Sequence, residues 1–168
     1  VTARFGDSIT QALAIDAQDR IYVSSGNGIE RFDPVTQQFT HFSDVRVDDL
    51  AIGPDGKLYG TSWPERGDVL IFDQRGRAQK LVSLDVPLDG LAFGKAGTPF
   101  AGLLFVTAIT DVDHPTAPLI AIDLATRAVM KIAVGGGHAE NMAVLADGRV
   151  LIAGEHQVDM LAPRLPPH

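Results

Sequence analysis

The stretch Asp48-Asp-Leu-Ala-Ile-Gly-Pro-Asp-Gly-Lys-Leu-Tyr-Gly-Thr61 decides the fold class of this chain. Residues 50–52, Leu-Ala-Ile, form a continuous apolar run, which predicts a strand buried on both faces. Residues 54–56, Pro-Asp-Gly, predict a tight turn, because proline presets φ, aspartate bonds back to the backbone and glycine accepts a positive φ. A second strand follows at Lys57. The stretch therefore predicts a β-hairpin whose first strand is buried.

The same pattern recurs three more times along the chain. Its copies are Ala12-Leu-Ala-Ile-Asp-Ala-Gln-Asp-Arg-Ile-Tyr-Val23, Gly90-Leu-Ala-Phe-Gly-Lys-Ala-Gly97 with a second strand at Leu103-Leu-Phe-Val106, and Asn141-Met-Ala-Val-Leu-Ala-Asp-Gly-Arg-Val-Leu-Ile152. The anchors Leu13, Leu50, Leu91 and Met142 are 37, 41 and 51 residues apart. Repeats of roughly 40 residues built from short strands are typical of β-propeller blades.

The sequence therefore predicts an all-β protein, a single β-propeller domain over residues 1–168 with four four-stranded blades. The blades are expected at about 12–42, 49–83, 90–133 and 141–162. The outermost strand of each blade is expected to be polar and alternating, as suits an exposed edge. The fourth repeat lacks this strand, and the alternating Val1–Phe5 is expected to supply it and close the ring. The alternative is one half or a fragment of a larger propeller, which would pair as a homodimer.

Composition excludes several classes of partner. The net charge of −7 argues against nucleic acid and anionic membrane surfaces, which both need a basic patch. No apolar run reaches the roughly 20 residues of a membrane-spanning helix. The absence of cysteine excludes disulfides and thiolate metal sites, and it fits either side of a bacterial membrane. A soluble protein is expected, with a periplasmic or extracellular location favoured.

Three phrases carry a resemblance to known families. Asp89-Gly-Leu-Ala-Phe93, Ile52-Gly-Pro-Asp-Gly-Lys-Leu-Tyr59 and Ile29-Glu-Arg-Phe-Asp-Pro-Val-Thr36 resemble blades of NHL and gluconolactonase (regucalcin)-like propellers, with virginiamycin-lyase-like propellers as close relatives. The resemblance covers nearly the whole chain. It implies the fold more strongly than any activity, because many functions share this blade pattern. These families usually have six or seven blades, so four repeats depart from them.

An oxygen-donor residue stands two positions before each repeat anchor. The four residues, here called the ring positions, are Gln11, Asp48, Asp89 and Glu140. The first strands of propeller blades line the central channel, so these side chains are expected to converge at its mouth. Carboxylates at close range repel unless a cation neutralises them, and oxygen ligands suit Ca²⁺ or Mg²⁺. The gluconolactonase resemblance implies the same metal role, with Asp89 the best match and Gln11 a departure. The alternative is that these residues solvate a water-filled channel.

Loops expected on the same face carry further candidate residues. The candidate ligand-binding residues are Trp63, Glu65, Arg66, Asp111, Asp113, His114, His138, Glu155 and His156. An aromatic side chain beside charges suits a small-molecule or protein ligand, and histidine can act as a general base or a metal ligand. The alternative for each histidine is a solvated loop residue. Three further acidic residues, Asp16, Asp55 and Asp147, are explained by turn chemistry instead.

No catalytic motif such as Gly-x-Ser-x-Gly is present in the sequence. The favoured function is therefore a ligand- or protein-binding module, with a divalent cation at the channel mouth. The alternative is a metal-dependent lactonase-like hydrolase or lyase in which Asp48, Asp89 and Glu140 hold the ion. These residues leave open whether the protein is an enzyme.

Overall fold

The computed structural model describes residues 10–64, 67–109, 117–136, 139–154 and 157–163. Within these ranges the chain consists of β-strands joined by turns and irregular segments. The predicted all-β class is therefore confirmed. No helix in this part of the chain is long and apolar enough to cross a membrane.

The chain divides into two compact units, Val1–Asp85 and Val86–His168, here called unit 1 and unit 2. Unit 1 contains two antiparallel four-stranded sheets in which neighbours in sequence are neighbours in the sheet. Sheet 1 consists of β1 (Leu13–Ile15), β2 (Ile21–Ser25), β3 (Gly28–Asp33) and β4 (Gln38–Ser43). Sheet 2 consists of β5 (Val47–Ile52), β6 (Leu58–Ser62), β7 (Asp68–Phe72) and β8 (Ala78–Ser83).

Unit 2 repeats this arrangement. Sheet 3 consists of β9 (Leu88–Phe93), β10 (Leu103–Ala108), β11 (Ala117–Asp123) and β12 (Val129–Gly136). Sheet 4 consists of β13 (Ala139–Val144), β14 (Val150–Gly154) and β15 (Val158–Leu161), three antiparallel strands among the described residues. Strands are found throughout the four expected blade ranges between residues 12 and 162, but the first strands of sheets 2, 3 and 4 begin two residues earlier than predicted, so their ring positions lie inside strands.

The turns between the first and second strands follow the expected aspartate chemistry. The Asp16 carboxylate accepts hydrogen bonds from the backbone N–H groups of Gln18 and Arg20, at 2.9 and 3.0 Å. The Asp55 carboxylate accepts the N–H of Lys57 at 3.2 Å, and Asp147 accepts that of Arg149 at 3.1 Å. Each carboxylate also pairs with the basic side chain that follows it. The assignment of these three aspartates to turn formation is confirmed.

The core of unit 1 lies between its two sheets. Ala14, Tyr22 and Ile29 of sheet 1 pack with residues of sheet 2 that include Leu50 and Phe72. Burying a leucine, isoleucine or phenylalanine side chain stabilises the fold by about 1.5–3 kcal/mol. Leu50 is 4% exposed because it faces sheet 1.

The strand β1 is not buried on both faces, although it repeats the apolar pattern of β5. Leu13 holds the position equivalent to Leu50, yet it is 57% exposed, and Ile15 is 55% exposed. Sheet 2 packs on the side of β1 that carries Ala14, and side chains alternate along a strand, so Leu13 and Ile15 point the other way. The apolar run thus predicts the strand correctly, but it does not predict whether both faces of the strand are buried.

The core of unit 2 lies between sheets 3 and 4. Phe105, Leu119 and Ala121 of sheet 3 pack with the fully buried Val150 of sheet 4. The outer strand β12 carries exposed Val129, Met130 and Ile132, which corrects the expectation that every fourth strand is polar. Val129 and Met130 are adjacent and lie on opposite faces of the strand, so both faces of this part of β12 are open to solvent.

Three parts of the predicted architecture remain predictions. The segment Val1–Phe5, which is expected to complete sheet 4, lies outside the described residues. The number of blades and the closure of the ring are not established by the four sheets alone. The assignment of residues 1–168 to a single domain also stays a prediction.

Candidate functional site

A β-bulge lies at the ring position of sheet 2. Val47 pairs with Ser62 and Leu50 pairs with Gly60, so Asp48 and Asp49 both lie opposite the single residue Thr61. Two residues facing one is the defining count of a bulge, which bends its strand and re-aims its side chains. Asp48 is therefore the first residue of a bulge at the start of β5.

The other sheets show the same irregularity. In sheet 3, Asp89 and Gly90 lie between the paired residues Leu88 and Leu91 and face Thr107. In sheet 4, the register shifts between Ala139 and Asn141, which leaves Glu140 as the extra residue. In sheet 1, the Gln11 N–H donates to the Ser24 carbonyl at 3.2 Å, while the Ser24 N–H donates to the Ala12 carbonyl at 3.0 Å. All four ring positions thus occupy equivalent bulges.

Buried hydroxyl groups hold three of these bulges in place. Ser24 Oγ accepts the N–H of Ala12 at 2.9 Å, Thr61 Oγ1 accepts that of Asp49 at 3.0 Å, and Thr107 Oγ1 accepts that of Gly90 at 3.0 Å. The three hydroxyl-bearing residues are 0, 0 and 2% exposed. Each hydroxyl replaces the ladder partner that the bulged N–H loses, so the N–H is not buried unpaired. Ala153 occupies this position in sheet 4.

Sequence reasoning did not identify these hydroxyl residues. The signal that would have found them is a serine or threonine at the second-to-last position of the second strand in the first three repeats: Ser24, Thr61 and Thr107. A serine or threonine inside an otherwise apolar strand indicates a hydrogen-bond partner nearby, because burying a hydroxyl group without a hydrogen bond is costly.

Two ring positions are in direct contact within unit 1. Gln11 Nε2 donates a hydrogen bond to Asp48 Oδ1 at 2.9 Å. The contact follows from the fold, because β1 and β5 are packed neighbours whose bulges start at equivalent residues. Gln11 is exposed and Asp48 is half-buried, so solvent reaches the pair.

The other two ring positions belong to unit 2. Asp89 is a half-buried residue of β9, and Glu140 belongs to β13, which packs beside β9. The Glu140 side chain lies outside the described part of the structure. The convergence of all four side chains therefore stays a prediction.

The chemistry of the Gln11–Asp48 pair fits part of a cation site. Gln11 donates through Nε2, which leaves its Oε1 as an oxygen ligand next to a carboxylate. Amide and carboxylate oxygens are the ligands of Ca²⁺ and Mg²⁺. Among the described residues, no three histidine or acidic side chains cluster closely enough to hold a metal ion. The pair would therefore need further ligands to complete a site.

Trp63 and Arg46 lie at the same end of sheet 2 as Asp48. The Trp63 N–H donates to the Arg46 carbonyl at 3.2 Å, one step beyond the Val47–Ser62 pair. Trp63 is half-buried, more enclosed than the exposed aromatic that was expected. Arg46 Nε is buried without a hydrogen-bond partner in the described structure, and sequence reasoning did not select this residue. An unsatisfied buried donor favours a ligand that brings an acceptor.

The remaining candidate ligand-binding residues fall outside the described ranges. They are Glu65, Arg66, Asp111, Asp113, His114, His138, Glu155 and His156. Their assignment to the ligand-binding face stays a prediction.

A separate charged cluster surrounds His41 on β4. His41 Nδ1 lies 2.7 Å from Glu30 Oε1, and Nε2 lies 2.9 Å from Asp44 Oδ1. Hydrogen bonds to Glu30 and then to Asp44 raise the pKa of His41 above its ordinary value of 6.5. The cluster joins β3, β4 and the segment after β4, and sequence reasoning had not singled it out.

Structures of known proteins share this architecture. The extracellular domain of a protein described as a hybrid two-component system from B. thetaiotaomicron matches with a TM-score of 0.73 and 9% identity, covering 99% of this chain and 22% of that one. A gluconolactonase from Xanthomonas campestris matches at 0.70 and 20% identity, covering 91% and 58%. A streptogramin B lyase matches at 0.69 and 11% identity, covering 94% and 56%.

These likenesses show a β-propeller type of fold and nothing finer. The chain spans between about a fifth and three fifths of the length of these structures. No protein-family model matches the sequence, and no curated protein matches it.

Proposed function

We propose that this protein is a β-propeller binding module whose ligand lies over the ring positions, with a divalent cation at the channel mouth. The observation that carries the proposal is the hydrogen bond between Gln11 and Asp48, which brings two equivalent bulge residues to 2.9 Å. The ligand is a small molecule or a protein segment that offers acceptor atoms.

Two features support this proposal. Bulges are over-represented beside binding and active sites because they aim a side chain away from the regular ladder, and here one recurs at every ring position. Arg46 adds a buried donor without a partner in the described structure, which an acceptor on the ligand would satisfy. In this proposal Asp89 and Glu140 join Gln11 and Asp48 around Ca²⁺ or Mg²⁺.

A calorimetric titration tests the cation part directly. Ca²⁺ and Mg²⁺ are titrated separately into chelator-treated protein, and the same titrations are made on Asp48→Asn and Asp89→Asn. The expected result is saturable binding of one ion per chain, which either substitution weakens strongly. The matched control is Asp159→Asn, the same change at an exposed carboxylate of β15. Equal binding by all four proteins would remove the proposed cation.

A second candidate is a metal-dependent lactonase-like hydrolase or lyase. The observation favouring it is that the carboxylates Asp48, Asp89 and Glu140 recur at one structural position. Carboxylates that hold a divalent ion can present it as a Lewis acid to a carbonyl oxygen. Metal-dependent opening of a simple sugar lactone, lost in Asp89→Asn, would favour the enzyme. Metal binding without turnover of the lactone would favour the binding module over the enzyme.

The finer features of the fold are also proposals. We infer that four blades form the propeller and that Val1–Phe5 supplies the outer strand of sheet 4. A homodimer of half-propellers is the alternative, since the chain spans about three fifths of the gluconolactonase it resembles.

A periplasmic or extracellular location is proposed on the strength of one neighbour that is an extracellular domain.

A further inference from the structure

A cleft of about 540 Å³ opens in unit 1, away from the ring positions. Gln11 and Asp48 lie at the start of β1 and β5, and the other ends of these strands lead into the turns that contain Asp16 and Asp55. Residues of the two turns line the cleft, so it lies at the opposite end of these strands. Its volume lies within the range of small-molecule sites, roughly 300–1,000 Å³.

The walls of the cleft combine apolar surface with basic groups. Tyr22, Phe42, Ile52 and Leu58 provide aromatic and aliphatic surface. The Phe42 ring stacks edge-on against Tyr22, with 5.1 Å between the ring centroids, so its position is fixed by packing. A rigid aromatic wall is suited to the planar or apolar body of a ligand.

Most charged groups of the cleft are neutralised by partners. Arg20 pairs with Asp16 at 2.7 Å, Lys57 pairs with Asp55 at 3.0 Å, and Asp73 pairs with Arg77 at 2.7 Å. These pairs leave Arg31 as the cleft cation that has no carboxylate partner within ion-pair distance in the described structure.

The side chain of Arg31 contacts an aromatic ring and a hydroxyl group. Its guanidinium lies over the Phe42 ring, 5.7 Å from the centroid, and its Nη2 makes one long hydrogen bond of 3.5 Å to Thr40 Oγ1. The nearby carboxylates serve other groups, because Glu30 binds His41 and Asp33 accepts the N–H groups of its own turn. A planar guanidinium with unused donors is the preferred protein partner of a carboxylate.

We propose that this cleft is a second binding site, which takes a small organic carboxylate. The carboxylate binds Arg31, and the apolar body of the ligand lies against Phe42 and Ile52. The site is independent of the ring positions, and neither proposal depends on the other.

The test is a titration with benzoate, whose binding is monitored through the amide chemical shifts of nitrogen-15-labelled protein. We expect a saturable response at the amides of Arg20, Arg31, Phe42 and Lys57. Arg31→Gln should weaken binding by about tenfold or more, because a charge-assisted hydrogen bond is lost. Arg127→Gln removes the same charge from an exposed turn of unit 2 and should leave the affinity unchanged.

Two further probes separate the parts of the ligand. Benzamide has the same shape without the charge and should bind much more weakly than benzoate. Inorganic phosphate carries charge without an apolar body and should also bind weakly. Phosphate binding as tight as that of benzoate would overturn the apolar half of the proposal.

Three outcomes of the benzoate titration would overturn the proposed carboxylate site. Shifts that do not saturate, that spread over both units, or that persist unchanged in Arg31→Gln would remove it. If Arg31→Gln does not fold, Arg31→Lys provides a different comparison, because it keeps the charge and tests the planar fork alone. Unchanged benzoate affinity in a folded Arg31→Lys would then count against the proposal.

Discussion

Gln11 and Asp48 are 37 residues apart in sequence, and the amide of the first donates to the carboxylate of the second at 2.9 Å. They hold the same position in two successive repeats, and the packing of β1 beside β5 brings the two side chains together. The bulge that starts at each of them aims both side chains to one end of their sheets.

The first prediction concerns metal-dependent stability. An ion that binds only the folded chain adds stability as RT ln(1 + [L]/Kd), about 2.7 kcal/mol at a hundredfold excess over Kd. Melting of the wild-type chain should therefore rise with Ca²⁺ or Mg²⁺ and fall with a chelator, whereas Asp89→Ala should melt at one temperature in all three conditions. A wild-type curve indifferent to metal would leave the ring positions as solvated channel lining.

The second prediction uses two leucines at equivalent positions. Leu50→Ala should cost about 2–5 kcal/mol of unfolding free energy, because it leaves a cavity between the sheets of unit 1. Leu13→Ala makes the identical change at a side chain that is 57% exposed, and it should cost less than about 1 kcal/mol. Denaturant unfolding of both variants measures the difference. Equal costs would show that Leu13 is covered in solution.

The third prediction tests the buried hydroxyl groups of the bulges. Thr107→Val keeps the shape of the side chain but leaves the Gly90 N–H unpaired, so it should cost about 1–3 kcal/mol. Thr36→Val, at an exposed turn residue, is the matched control and should stay within about 0.5 kcal/mol. A neutral Thr107→Val would mean that the bulged N–H finds another partner.

The fourth prediction concerns pH. Glu30 and Asp44 raise the pKa of His41, so the folded chain holds this proton more tightly than the unfolded chain does. The resulting stability is complete below the ordinary value of 6.5 and is lost as the pH rises through the higher folded value. The effect should stay below about 1 kcal/mol because the pairs are exposed. Unfolding curves of wild type and His41→Gln should converge above this window, and parallel curves throughout would refute the linkage.

The fifth prediction tests the proposed strand at the N-terminus. Deleting residues 1–5 should expose the edge of β15, where Val158 is 67% and Met160 is 54% exposed. Unpaired apolar edges promote association, so the shortened chain should be less stable and should dimerise or aggregate. Light scattering and thermal melting measure both effects. A monomeric deletion variant of unchanged stability would reject closure by this strand.

The repeat pattern predicted the strands well because each strand is specified locally. Apolar runs such as residues 50–52, followed by aspartate–glycine turns, encode a hairpin without information from the rest of the chain. The turn role of Asp16, Asp55 and Asp147 was predictable for the same reason, since their hydrogen bonds span only a few residues.

Features that depend on packing between elements were not predictable. Leu13 and Leu50 look alike in sequence, and only the placement of sheet 2 separates an exposed leucine from a buried one. The first strands of sheets 2, 3 and 4 begin two residues earlier than predicted because their pairing continues past a bulge, which the apolar run does not signal. Arg31 was missed because its importance comes from carboxylates that are engaged elsewhere, a property of the folded arrangement.

The aspartate turns have a consequence for the order of folding. Their hydrogen bonds and ion pairs join residues two to four positions apart, as in Asp16 with Gln18 and Arg20. Loops this short close quickly, and a β-hairpin forms in about 1–10 μs. The Gln11–Asp48 bond, in contrast, joins residues 37 positions apart, so it can form only after β1 and β5 have come together. The hairpins should therefore form early in folding, and the Gln11–Asp48 contact should form late.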